Sequence, residues 1–426
     1  MLMPQPGNSD RPGLSGSPEL LRTLALLGSL CLFLSAVEYL IPKPLPFMRI
    51  GLANFPLLLA LGIFKQKDFF LLALIKVLGQ GIINGTFFSY VFLFSLAGTF
   101  SSAAVMYGVY ALFGKKHLGF AGIGCAGAMA SNAIQLVLAR YFIFGPALRY
   151  MAPPFLASGF ITGIALGIIC EYFCRHSIWY LRYSRFGHTG SDHSMANETS
   201  PIPLQEHDTV EEGKKSLFEQ WRLQRSSRWN NFFNAGGLFA AGLLITLVFL
   251  INRTVEIRIV HFMFFYLLAW FSGKKNNVFI TLLIMAGIVL CNLLVPYGKV
   301  LAVIGPLQIT QGSLYSGLEK AFTLGGLIMI SRAFIKADLR LPGPVGSLLA
   351  ESLRILEQMR EKKSMFGKGN LITNIDTMLL ELETQNTYQQ KHVPGRKMQR
   401  NLKSIFLLIT MILITAAITV SAHCSL

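Results

Sequence analysis

Runs of about twenty apolar residues recur along this chain from Leu20 to Val420, and few folds accommodate them. A bilayer core of ~30 Å is crossed by ~20 helical residues, and within it every backbone polar group must be satisfied without water. About eleven segments meet that length. Composition agrees: the chain is 53% hydrophobic and 14% charged, too apolar for a water-soluble surface. The expected fold class is therefore all-α, a polytopic transmembrane helical protein with about eleven membrane helices in two modules.

The first module, 20–177, follows a polar tail, 1–19. It holds six expected spans: Leu20–Ile41, Leu45–Phe64, Phe69–Phe87, Tyr90–Phe113, Leu118–Phe144 and Pro154–Phe173. No small-residue cleavage site follows the first, so it reads as an uncleaved helix rather than a signal peptide. With the amino terminus cytoplasmic, Lys65, Lys67, Lys115, Lys116, Arg175, Arg182 and Arg185 fall inside, as cations on a multi-pass protein of a cell (inner) membrane should. The net charge of +17 thus reads as topology and not as a nucleic-acid footprint. A polar cytoplasmic linker, 178–230, ends in a basic stretch, Lys214–Trp229, expected to lie on the membrane surface. The sequon-like Asn197-Glu198-Thr199 lies in this inside segment, away from glycosylation. The second module, 231–335, has spans at Phe232–Ile251, Ile257–Phe271, Val278–Val295 and Leu318–Ile335, with a semi-apolar connector at Lys299–Thr310. Two amphipathic cytoplasmic helices, Ser347–Met359 and Asn374–Gln385, lie within 336–402. A last membrane helix occupies 403–421.

The stretch Glu38–Asn54, EYLIPKPLPFMRIGLAN, organises the candidate site. Pro42, Pro44 and Pro46 lack amide hydrogens and clash with a preceding helical turn, so the chain must leave regular structure there. Glu38, Lys43 and Arg49 flank the break, and charge beside irregular backbone in a membrane protein marks a functional site by default. Behind it, Lys76, Gln80 and Asn84 are four apart and share one helix face. Asn132 and Gln135 share another, with Arg140 further along. A buried amide or ammonium costs kilocalories unless partnered, so these faces should turn inward. The expected substrate-binding set is Glu38, Lys43, Arg49, Asn54, Lys76, Gln80, Asn84, Asn132, Gln135 and Arg140. The alternative is that these groups bond to neighbouring helices and bind nothing; for Arg140 and Arg149 it is anchoring at lipid head groups. Small residues in GIGCAGAMAS (122–131) and in Ala25-x-x-Gly28-Ser29 read as tight packing, with a docking face for a membrane partner as the alternative.

Several chemistries are missing. There is no GxxxxGK[ST] for nucleotide hydrolysis, and no aspartate pair to hold magnesium against a diphosphate. Six cysteines (31, 125, 170, 174, 291, 424) have no metal-like spacing, and Cys170 and Cys174, near a cytoplasmic end, are expected as thiols. His117, His188, His193, His207 and His392 read as solvated loop residues. No cofactor, metal or catalytic residue is expected.

Glu38 with the proline turn, IGLANF (50–55), NGTFF (84–88), FSLAGTFSS (94–102), Met106 and SNAIQL (131–136) resemble the Gx transporter family, also called heptaprenyl diphosphate synthase component I. Where the resemblance predicts His before Asn132, this chain has Ser131. The resemblance implies a six-helix block like the substrate-binding S component of energy-coupling-factor (ECF) transporters, with a site near the outer face. LQITQGSLYSGLEKAFTLGGLIMISRAFI (307–335) and LPGPVGSLLAESLRILEQM (341–359) resemble, more weakly, the T component of the same transporters, though without Ala-Arg-Gly-type motifs. The implied function is uptake of a small solute, driven by ABC-type ATPase partners. Surplus outer cations Lys43, Arg49, Arg140 and Arg149 favour an anionic solute. The alternatives are a membrane component supporting heptaprenyl diphosphate synthesis and a non-transporting scaffold.

Overall fold

A computed structural model describes residues 18–40, 51–185, 217–251, 254–274, 278–304, 307–336, 339, 341–361, 371–388 and 402–421. Lys43, Arg49, Asn197, His188, His193, His207 and His392 lie outside the described residues.

The first block contains α1 (Pro18–Leu40), α2 (Phe55–Ala60), α3 (Gln66–Ile83), α4 (Tyr90–His117), α5 (Phe120–Ala139), α6 (Leu148–His176) and α7 (Ile178–Arg185). The second contains α8 (Leu217–Phe232), α9 (Ala235–Ile251), α10 (Val255–Phe271), α11 (Val278–Leu293) and α12 (Gln311–Phe334). Three helices follow: α13 (Gly343–Glu361), α14 (Leu371–Tyr388) and α15 (Leu402–Ser421). The connector before α12 is no coil. Val300–Ile304 pairs antiparallel with Leu307–Thr310, Ile304 opposite Leu307 and Val300 opposite Thr310, so among the described residues one β-hairpin interrupts the helices.

Among the described residues, four stretches are long and apolar enough to cross a bilayer: Glu19–Glu38, Tyr90–Phe113, Phe120–His176 and Leu402–Val420. A fifth exists if α8 and α9, bent by 94°, count as one span. The expected count of about eleven is finer than this, and the departures have local causes. The span expected at Leu45–Phe64 is, over its described part, a 3₁₀ turn at Leu52–Asn54 followed by the six-residue α2. Gly51, at φ 89°, reverses the backbone before that turn, and such a φ strains any residue with a side chain. Helix α12 is long, but it carries Glu319, Lys320 and Arg332 along its length.

The two blocks share one contiguous apolar core, and their helices cross. The α3–α4 turn and the α5–α6 turn close the same end of the first block, since Tyr90 and Phe142 meet there with ring centroids 4.7 Å apart. One helix of the second block touches both turns. Phe88 N–H donates to Ser331 Oγ of α12 at 3.2 Å, while Lys320 of α12 reaches Asn292, which bonds the Ile143 carbonyl at 3.2 Å. Ser331 and Lys320 are eleven residues apart, or ~17 Å along a helix axis. Helix α12 therefore runs across the end of the first block instead of alongside it, and the helices of both blocks cannot all stand on one membrane normal.

The C-terminal helices fold back onto the first block. Helix α13 buries Leu348, Leu349, Ser352, Ile355, Leu356 and Met359. It packs them on α1 and α3. A Cβ on Gly28 would sit 2.8 Å from Ser352 Oγ and 3.2 Å from Ile75, so the small-residue face of α1 accepts this chain's own helix. The small residues of α5 accept α6: a Cβ on Gly163 would lie 2.9 Å from Cys125 Cα. Helix α14 clasps α7. The Asp376 carboxylate accepts from the Ser177 hydroxyl and, at 3.1 Å each, from the N–H groups of Ile178 and Trp179. It thereby caps the first turn of α7 from another helix. Tyr183 donates to Glu383 at 2.8 Å; burial, then that bond, push its phenol up to about 12.

Candidate functional site

A cavity opens between α1, the turn before α2, α3, α4, α5 and α6. Its wall includes Glu38, Asn54, Lys76, Gln80, Asn132 and Gln135, six of the ten residues nominated from sequence. The volume open to the centres of water molecules is about 40 Å³, room for about three waters at 10–15 Å³ each. The remaining wall is hydroxyls (Ser95, Thr99, Ser102, Ser131, Thr162), small residues (Gly51, Ala53, Gly124, Ala128, Gly159, Gly163) and Leu58, Met106 and Leu166. Among the described residues it contains one carboxylate, one ammonium and no aromatic ring.

Each polar group is positioned by a local device. Gly51 turns its N–H back to Glu38 Oε2 at 3.2 Å, tying the irregular backbone after the prolines to the end of α1. That backbone is tolerable at membrane depth because it lines a polar cavity. Asn54, at the N-cap of α2, accepts a hydrogen bond from Lys76 through Oδ1. Lys76 and Gln80, one helical turn apart on α3, both face inward, and Ser95 Oγ donates to Gln80 Oε1 at 3.2 Å. Across the cavity, Asn132 Nδ2 donates to the Phe155 carbonyl at 3.0 Å. A Cβ on Gly159 would sit 2.0 Å from that nitrogen, so glycine is required there. Gln135 Nε2 donates to Ser131 Oγ at 2.8 Å, in space that Gly98 leaves open.

Two wall atoms have no hydrogen-bond partner: Gln135 Oε1 and Ser102 Oγ. Their residues are 2% and 1% exposed. A buried polar atom left unmade costs about 1–3 kcal/mol. The free chamber is thus short of hydrogen-bonding partners on its α4–α5 side.

Of the other nominated residues, the described ones lie elsewhere. Asn84 ends α3 as its C-cap and is not in the wall. The α3 stripe stops one turn early because the helix does. Arg140 is exposed: five residues past Gln135 the helix has turned about 140° away from that inward face, where the π-helical turn Arg140–Phe144 begins. Arg149 is also exposed, stacked on Tyr150 at 4.7 Å. Lys43 and Arg49 lie outside the described residues. Of the cations on which an anionic solute was expected, the two described ones, Arg140 and Arg149, are not among the wall residues. Sequence reasoning missed the hydroxyls. Ser95, Thr99 and Ser102 are four and three apart within FSLAGTFSS and form a helix stripe, a signal available without a structure.

Residues 27–173, which contain this wall, match the family model described as heptaprenyl diphosphate synthase component I, the family that the short motifs resemble. Residues 238–337 match a second model, described as a domain of unknown function (DUF8519), which names no activity. No curated protein and no solved structure matches the chain. The chain is a membrane protein whose first block is similar to heptaprenyl diphosphate synthase component I.

Proposed function

We propose that the chamber of the first block is the capture site of a membrane transporter subunit of the ECF type, which takes a small solute from outside the cell for uptake driven by partner ATPases. One observation carries the reading: polar residues from separate segments converge on a cavity that leaves Gln135 Oε1 and Ser102 Oγ unpartnered. A solute offering an N–H or O–H to those atoms recovers what the empty site forgoes. The second block serves as the T-like partner, with its amino-terminal side cytoplasmic. The apolar face of α13 is buried on α1 and α3, so an ATPase would meet its other face, which carries the Glu351–Arg354 pair (2.5 Å) and Arg360.

Support of heptaprenyl diphosphate synthesis is the second reading, favoured by the family description. The wall argues against this chamber as its site. Among the described wall residues, one ammonium does not balance a diphosphate in a desolvated cavity, and one carboxylate is a poor magnesium cradle. Native mass spectrometry of gently extracted protein tests the proposal. A retained small solute, absent from Gln80→Leu, is the expected result. A retained prenyl diphosphate, or chain elongation by the purified protein with magnesium, would replace it.

A further inference from the structure

A second, independent feature lies at the junction of α8 with the second block. Helix α8 meets α9 at 94°, so if α9 stands across the bilayer, α8 lies in its surface. The break is held open by Lys336, at the end of α12, which donates to the Asn230 carbonyl at 2.6 Å and to the Phe233 carbonyl. A cation on the last carbonyls of a helix is the favourable arrangement. Gly273, at φ 71°, lets α8 rest directly on the α10–α11 turn: a Cβ there would sit 2.5 Å from Ser226 N. This contact gathers Arg222, Arg225, Arg228 and Lys274 on one side of the molecule, with Glu219 the only carboxylate on α8.

Arg225 is the informative member. Its guanidinium lies 3.9 Å over the Trp270 ring, yet its Nε and Nη1 are buried without an acceptor. Arginine presents its N–H groups as a planar fork suited to phosphate. Trp221 is 68% exposed, and tryptophan at such a site favours the boundary between water and lipid.

We propose that α8 and the α10–α11 turn form a binding site for the phosphate of an anionic phospholipid, with Arg225 as its central donor. The lipid phosphate supplies the acceptor that Arg225 Nε and Nη1 lack, and Arg222, Arg228 and Lys274 select for net negative charge. Each cation near an anionic membrane surface contributes about a fivefold preference.

The test uses full-length protein, purified in detergent and stripped of lipid. It is given equal amounts of POPG (phosphatidylglycerol) or POPC (phosphatidylcholine), and retained lipid is counted by native mass spectrometry. POPG should be retained several-fold over POPC, and Arg225→Gln with Arg228→Gln should erase the preference. Arg228→Gln alone, at an exposed position, keeps the test usable if the double variant does not fold, and it should lower the preference without erasing it. Equal retention of the two lipids by the wild type, or undiminished POPG preference in a folded variant, overturns the proposal. So does displacement of POPG by millimolar inorganic phosphate, which would make this an ion site and not a lipid site.

Discussion

The chamber of the first block and the α10–α12 interface of the second are built from similar residues. Each places an ammonium, a carboxylate and an amide among apolar helices. In the second block the groups satisfy one another. Lys320 donates to Asn292 Oδ1 at 2.9 Å, Asn292 Nδ2 donates to the carbonyls of Ile288 at 2.8 Å and Ile143 at 3.2 Å, and Arg258 lies 3.7 Å from Glu319. In the first block Lys76 and Asn54 pair, but Gln135 Oε1 and Ser102 Oγ, on two residues that line the cavity, are left without a partner. Buried charge in a membrane helix is therefore a poor guide to binding by itself. The useful signal is a polar atom that the fold leaves unserved, on a residue that lines a cavity.

The comparison can be broken by mutation. The largest effect is expected from Gly163→Leu, whose side chain must pass between Ala128 and the Cys125 backbone. It should abolish solute retention and lower the unfolding temperature, since overpacking typically costs about 1–3 kcal/mol. Next is Asn292→Leu, which strands the Lys320 ammonium and the Ile143 carbonyl. A stability loss of about 1–3 kcal/mol in a denaturation series should come with unchanged solute selectivity. A change of selectivity would make the two regions one site. Uptake should fall for Gln80→Leu and hold for Asn84→Leu at equal membrane abundance, because only the first is in the wall; equal losses would contradict the assignment. The smallest and sharpest test is Ser102→Ala. Removing an unpartnered buried hydroxyl should leave the empty protein as stable as before, or up to ~1 kcal/mol more stable, while weakening solute retention. A clear loss of stability would mean that the hydroxyl is already satisfied.

Much of the chamber was legible in the sequence because helical spacing is a local code. Lys76 with Gln80, and Asn132 with Gln135, needed only i+4 and i+3 arithmetic and the cost of burying an amide. Asn84 failed by the same arithmetic, since spacing does not say where a helix stops. Arg140 failed because five residues past Gln135 an α-helix has turned about 140° away from that face. The second span failed because a left-handed glycine and a 3₁₀ turn cut its described part to six helical residues. What spacing could not reach were contacts between distant parts of the chain. Nothing local in Asp376 announces that it caps a helix beginning at Ile178, and nothing in α12 announces that it runs across the end of another block. Asp376→Asn should loosen that clasp by about 1 kcal/mol, measurable as faster amide exchange in α7.

The seat of α13 on α1 bears on how the protein is made. Gly28 leaves the ribosome 324 residues before Ser352, the group that fills its groove. At ~5–20 residues per second, the groove stands vacant for roughly 15–65 s of synthesis. During that interval a newborn first helix must be shielded by lipid, by an insertase or by its own neighbours.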